Sequence, residues 1–335
     1  MPRLLPVQSF TIPVHNATVG HDCQRLAVEK HVFPSPQPPK QTITFLWSHA
    51  NGFHKESMHP LVSAFIRHLR TQPQYDDVAM EVFLWDARNH GDSARLNEGI
   101  LQPDYLWFDN AMDTLQVIQE LKIRKCCDFL IGVGHSFGAT SMVLCEFLYP
   151  NTFDGLALME PIIKDSIPPT AIRALYPIMA SKNRRDTWPS REECLRQLAP
   201  RPFWKAFDPE VLKLYVEYGM YETPEGSIKL KCPKEQEFRI FDVTPYSQMT
   251  AHKVLRLLTI PVHIIYALGS HLLKPEESHI MTGQNRLVSV DFIEGSHMVP
   301  NEKPKDMALF IAPIVQSVLL SRQSLPSQHL EESKL

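Results

Sequence analysis

The residue with the clearest chemistry in this sequence is Ser136, set in Gly134-His135-Ser136-Phe137-Gly138. A Gly-x-Ser-x-Gly run that leaves a strand and enters a helix makes a strained turn, with the hydroxyl exposed above a sheet. Glycines serve there because the neighbouring backbones come close. The apolar run Phe129–Gly134 supplies the strand and Ala139–Leu148 the helix. A hydroxyl is a poor nucleophile until a base takes its proton, so the serine needs a histidine, in the chain order serine, acid, histidine. Among 15 histidines, His297 has that place, in Phe292-Ile-Glu-Gly-Ser-His-Met-Val-Pro300, directly after the last strand-like run.

The acid is less obvious. The seventh strand ends in Tyr266-Ala-Leu-Gly-Ser-His-Leu-Leu273, which holds no aspartate. Glu276 and Glu277 follow Pro275 in a helix-start context, where acidic residues suit the positive end of the helix dipole. Glu160, in Leu156-Ala-Leu-Met-Glu-Pro-Ile162, ends the sixth strand on the rim where Ser136 stands, and is preferred as the group that orients His297. Acyl transfer also needs donors for an oxyanion. The Phe137 amide, next after the nucleophile, is one; the second comes from Ser48-His-Ala-Asn-Gly-Phe-His54, with Phe53 the first choice and Asn51 the fallback.

Two rival chemistries fail on spacing. Gly132-Val-Gly134 followed by Gly138 places phenylalanine where a dinucleotide loop of the form G-x-G-x-x-G needs its third glycine. Trp85-Asp-Ala-Arg-Asn-His-Gly-Asp-Ser93 lacks metal-ligand spacing and reads as a structural turn, with Asp86, Arg88 and His90 holding the loop by charge-assisted hydrogen bonds. Neither a metal nor a cofactor is expected.

These residues must be positioned by a sheet. Gln8–Val14 and Arg25–Phe33 read as an opening hairpin, and Thr42–Ser48, Met80–Trp85 and Phe129–Gly134 as strands buried on both faces. Leu156–Met159, Val262–Leu268 and Leu287–Ile293 complete eight. Helical stretches between the runs predict an α/β fold with a mostly parallel sheet flanked by helices. Residues 162–255 are too long for a connecting loop and too well patterned for disorder, which predicts a helical cap inserted after strand six. The expected organisation is a core over 1–161 and 256–322, the cap over 162–255, and a flexible tail over 323–335, with a closing helix at Lys305–Ser321. Trp188, Phe203, Trp204, Phe207 and Tyr215 of the cap either offer apolar surface to a lipid-like chain or, as such residues more often do, form the core of the cap.

A net charge of −3 gives no basic excess for neutralising phosphates, so nucleic acid is not an expected partner. The six cysteines lack C-x-x-C spacing and read as reduced thiols. No apolar run approaches the roughly 20 residues that span a bilayer. The final Ser333, Lys334 and Leu335 match a peroxisomal address read by an import receptor, which places the protein in the peroxisome.

Taken together, His-Ala-Asn-Gly-Phe, Asp-Ala-Arg-Asn-His-Gly-Asp-Ser, Gly-His-Ser-Phe-Gly and Gly-Ser-His-Met resemble the α/β-hydrolase superfamily over nearly the whole chain. Ser-His-Ala-Asn-Gly-Phe, Met-Glu-Pro-Ile and the terminal Ser-Lys-Leu are similar to fungal hydrolases of the AK-toxin type from Alternaria, a group related to yeast peroxisomal lipases. That resemblance implies a peroxisomal step in making an epoxy-decatrienoic acid, with a small-molecule acyl substrate. Superfamily dehalogenases and epoxide hydrolases carry aspartate at the elbow, so Ser136 argues against both. Some dehalogenases resemble this chain in placing their acid after the sixth strand, in favour of Glu160. Three functions follow as expectations: hydrolysis of an ester or thioester through an acyl-enzyme, acyl transfer from the same serine, or non-catalytic holding of a small ligand.

Overall fold

In the computed structural model, residues 3–103, 105–166, 178–283 and 285–323 are described. Ser333, Lys334 and Leu335 lie outside them. Eight strands form one sheet in the order β1-β2-β4-β3-β5-β6-β10-β11. They are β1 (Gln8–Pro13), β2 (Arg25–Phe33), β3 (Gln41–Ser48), β4 (Val78–Trp85), β5 (Phe129–His135), β6 (Gly155–Met159), β10 (Val262–Ala267) and β11 (Val288–Ile293). β2 pairs antiparallel with β1 and β4, and every later pairing is parallel. The continuous apolar runs have a simple cause: both faces of the central strands are covered. Phe45, Ile131, Ala157 and Ile265 point into one core, which also holds Leu61, Phe65 and Leu69 of α1 (His59–Arg70). Their neighbours Leu46, Leu130, Leu156 and Ile264 point into the other, with Trp107 and Leu115 of α3 (Trp107–Glu120) and Met142 of α4 (Phe137–Leu148).

The closing helix expected at Lys305–Ser321 is two helices, Pro304–Ile311 and Pro313–Gln323. Pro313 has no N–H to donate, and its ring crowds the preceding turn, so one helix cannot run through it.

Between β6 and β10 the inserted segment holds several helices, two of them opened by side-chain caps: Ser190 accepts from the Glu193 amide and Asp208 from the Glu210 amide. It also holds a small antiparallel sheet in the order β7-β9-β8, formed by Thr187–Trp188, Ile228–Leu230 and Met220–Glu222. Strands of two and three residues leave no alternation to read in a sequence. Trp188, Trp204, Phe207 and Tyr215 pack together around Phe53 as the core of this cap, the second of the two readings of these residues; Phe203 remains 39% exposed. The last helix of the segment, Thr244–Leu255, sends Ala251, Val254 and Leu255 into the main core beside α4. Among the described residues no helix is long and apolar enough to cross a membrane.

Candidate active site

Ser136 stands between β5 and α4 with φ 53° and ψ −114°, a backbone conformation that a side chain rarely tolerates. Its flanking glycines are required by contact. A Cβ on Gly138 would lie 2.5 Å from Ser48 Oγ and 2.6 Å from the His49 carbonyl oxygen, and one on Gly134 would lie 2.5 Å from the Ala139 Cα. Glu160 follows β6 and is also held at positive φ, 51°. Two backbone bonds fix these neighbours: the Ser136 amide donates to the Met159 carbonyl at 2.9 Å and the Glu160 amide to the Ile265 carbonyl at 2.8 Å.

His297 lies after β11 and meets both. Its Nε2 is 2.8 Å from Ser136 Oγ and its Nδ1 is 2.7 Å from Glu160 Oε2. The Glu160 carboxylate is fully buried, whereas the His297 side chain is 35% exposed. Glu160 Oε1 accepts the Ala267 amide at 2.5 Å, so both carboxylate oxygens are engaged. A buried carboxylate accepting at Nδ1 holds that nitrogen as N–H and leaves the Nε2 lone pair facing the hydroxyl, the tautomer needed for proton abstraction. The structure brings Ser136, Glu160 and His297 together. Glu276 and Glu277 are exposed in a short 3-10 turn, where Glu277 accepts the Lys274 amide at 3.2 Å.

The Phe137 amide sits in the first turn of α4, beside Ser136 and at the positive end of the helix dipole. Phe53, the first choice for the second donor, lies in the turn after β3. Its amide donates to the Ala50 carbonyl at 3.1 Å and closes a turn, while the Gly52 amide donates to His90 Nε2 at 2.9 Å. The Asn51 amide has no hydrogen-bond acceptor among the described residues. His90 is buried, and burial lowers its pKa well below the ordinary value, so it is neutral and can accept. His49 is alike: burial lowers it to about 4, its Nδ1 donates to the Ala50 carbonyl at 2.8 Å, and its Nε2 accepts the Ala87 amide at 3.0 Å.

The Trp85–Ser93 turn is structural, with partners other than those expected. Arg88 does not pair with Asp86; its Nε and Nη2 donate to Asp113 at 2.8 and 2.7 Å. Asp86 instead takes Lys55 Nζ at 2.9 Å and the Lys55 amide at 2.8 Å. Lys55 Nζ also reaches Glu56 at 2.9 Å and Asp92 at 2.6 Å. Burial alone would lower the pKa of this ammonium, but Asp86, Glu56 and Asp92 outweigh it and hold the pKa well above the usual lysine range. Lys55→Met strands buried carboxylates and is expected to cost about 3–5 kcal/mol of unfolding free energy. Urea denaturation with a linear extrapolation checks it; a loss within experimental error would show that the charges are not needed.

A second buried cluster escaped the sequence: Glu29 and His31 are neighbours on one face of β2, but His59 joins them only through the fold. Ligating atoms of Glu29, His31 and His59 lie within 4.8 Å of one another. The Leu4 amide donates to His59 Nδ1 at 3.2 Å, which places the His59 proton on Nε2, 3.3 Å from Glu29 Oε2. Arg3 holds the other carboxylate oxygen at 2.5 Å. The Arg3 guanidinium pairs with the carboxylate, and His59 turns an N–H, not a lone pair, toward it.

Residues 45–308 match the alpha/beta hydrolase family. A type I acyl-CoA thioesterase of Penicillium brevicompactum, mpaH, is 29% identical over 240 residues, covering 66% of this chain and 52% of that protein. The chain thus spans about half the length of that relative. The peroxisomal membrane protein LPX1 of Saccharomyces cerevisiae is 24% identical over 278 residues, 75% of this chain and 71% of that one. The crystal structure of this yeast peroxisomal alpha-beta-hydrolase superposes with a TM-score of 0.74 at 19% identity, over 98% of this chain and 92% of its own. An abhydrolase domain-containing protein of Alternaria alternata, AKT2, is 26% identical over 114 residues, 32% of this chain and 42% of that one.

Proposed function

Because the chain belongs to the alpha/beta hydrolase family, we propose that it is a serine hydrolase that cleaves an ester or thioester of a fatty-acid- or polyketide-like acyl group. The observation that carries this reading is the hydrogen-bonded line from Glu160 through His297 to Ser136, at 2.7 and 2.8 Å. His297 takes the Ser136 proton as the oxygen attacks the carbonyl, and Glu160 stabilises the imidazolium that results. The Phe137 and Asn51 amides hold the oxyanion of the tetrahedral intermediate. His297 then protonates the leaving alcohol or thiol, and the acyl group stays on Ser136. Water, deprotonated by His297, attacks the acyl-enzyme; the bond from the acyl carbon to Ser136 Oγ breaks, His297 returns the proton to Oγ, and the acid leaves. Acyl-CoA is the favoured donor, on the strength of the thioesterase relative's name.

The setting we propose is the peroxisome. It is supported by the name of the yeast relative and by the tripeptide Ser333-Lys334-Leu335 as the ligand of an import receptor. Similarity to the Alternaria hydrolases supports a place in making an epoxy-decatrienoic-acid-type toxin. The test is incubation of the pure protein with a fluorophosphonate probe and, separately, with decanoyl-CoA while free thiol is followed. The expected result is a covalent adduct mapped to Ser136 and steady release of thiol. No adduct, under conditions that label a control hydrolase, would overturn the reading. Acyl transfer from the same intermediate would instead appear as turnover that rises with an added alcohol acceptor beyond the hydrolytic rate.

A further inference from the structure

We infer that His135 is a positioning residue for His297, holding the peptide of the base to the strand that carries the nucleophile. This rests on the serine-hydrolase reading above. His135 is the last residue of β5, and its side chain is 2% exposed. Its Nε2 lies 2.9 Å from the carbonyl oxygen of His297, 162 residues away in the chain. The two imidazole rings are 5.5 Å apart and inclined at 44°.

The direction of this bond follows from chemistry. A carbonyl oxygen can only accept, so the proton between them belongs to His135 Nε2. Burial lowers the His135 pKa to about 3, the charge of His297 adding to the effect and the bond to its carbonyl opposing it, so the ring is neutral and its single proton is committed to that bond. His135 is thereby unsuited to carry the proton of the reaction, although it lies next to Ser136.

The rest of the loop is tied elsewhere. The Ser296 amide donates to Glu302 Oε2 and the Met298 amide to Ser296 Oγ, each at 3.0 Å, and both bonds stay within the loop and the helix Val299–Glu302. Among the described residues, the His135 bond is the one that runs from the His297 peptide to the strand ending at Ser136. The imidazole pivots on that peptide. A shift of its carbonyl swings Nε2 off the 2.8 Å approach to Ser136 Oγ, and a misplacement of about 1 Å costs on the order of 100-fold in rate.

The test compares His135→Phe, which keeps a ring but no N–H, with His135→Gln, whose amide N–H has a similar reach. The readouts are kcat and KM for p-nitrophenyl butyrate, the rate of fluorophosphonate labelling at Ser136, and the thermal midpoint. His135→Phe is expected to lower kcat and the labelling rate by about 10- to 100-fold while KM stays within about twofold. His135→Gln should recover to within about threefold of the natural protein, since it restores the donor. His135→Leu serves the same purpose as the phenylalanine variant if the larger ring disturbs folding. A folded Phe or Leu variant with undiminished kcat overturns the inference, and so does a glutamine variant no better than they are. Failure of the natural protein to label at Ser136 is a separate result, seen before any variant is made; it overturns the serine reading and this inference with it.

Discussion

Replacing Ser136 by alanine will abolish the fluorophosphonate adduct and lower kcat toward an acyl-CoA thioester by about a millionfold, the scale seen when a serine nucleophile is removed. The alanine variant lacks the atom that attacks, so its remaining base and acid have no hydroxyl to serve. What survives, about 10³–10⁴ over water, comes from the oxyanion donors and substrate binding. The fold should hold, because the Ser136 hydroxyl faces His297 while its amide bond to Met159 is untouched. Intact-mass spectrometry after labelling, with a thermal melt alongside, checks both halves. A variant that keeps a steady thioesterase rate would refute Ser136 as the nucleophile.

Glu160→Gln should cost about 10⁴ in kcat, an effect of tautomer more than of charge. The variant amide has one oxygen and one NH₂ group, and the Ala267 amide at 2.5 Å requires an acceptor. The oxygen turns to Ala267, so the NH₂ group faces His297 Nδ1 at the position of the present Oε2. Nδ1 then accepts, the ring proton moves to Nε2, and a donor faces the Ser136 hydroxyl where a base is needed. Glu276→Gln and Glu277→Gln are exposed changes away from His297 and should leave kcat within about twofold. Loss of activity in either of these, with Glu160→Gln unimpaired, would move the acid to the loop after β10.

Most of the sheet was legible because its strands are buried on both faces and so announce themselves as unbroken apolar runs; β2 matches its expected range residue for residue. Ser136 and His297 were legible through chain order and position at strand ends. Glu160 was readable once the rim after β10 offered no aspartate. The turn bond that the Phe53 amide makes to Ala50 was not legible, because no side-chain type records it. The partners of Asp86 were missed for a similar reason: Lys55 lies 31 residues away and reaches it only through the fold. Pro313 was a legible helix breaker that the apolar pattern around it concealed. The small sheet of the cap is too short to leave a period.

The place of the acid has an evolutionary meaning. Ser136 and Glu160 close adjacent parallel strands only 24 residues apart, so the proposed nucleophile and acid form a module encoded before the insertion begins. The rim that follows β10, from Leu268 to Leu287, carries no carboxylate that His297 uses. Insertions, deletions and exchanges there are relieved of the constraint that the reaction imposes on Glu160 itself. Beyond Gly269, whose amide is bonded to Gly295 in the His297 loop, changes along that edge leave the hydrogen bonds among Ser136, His297 and Glu160 untouched.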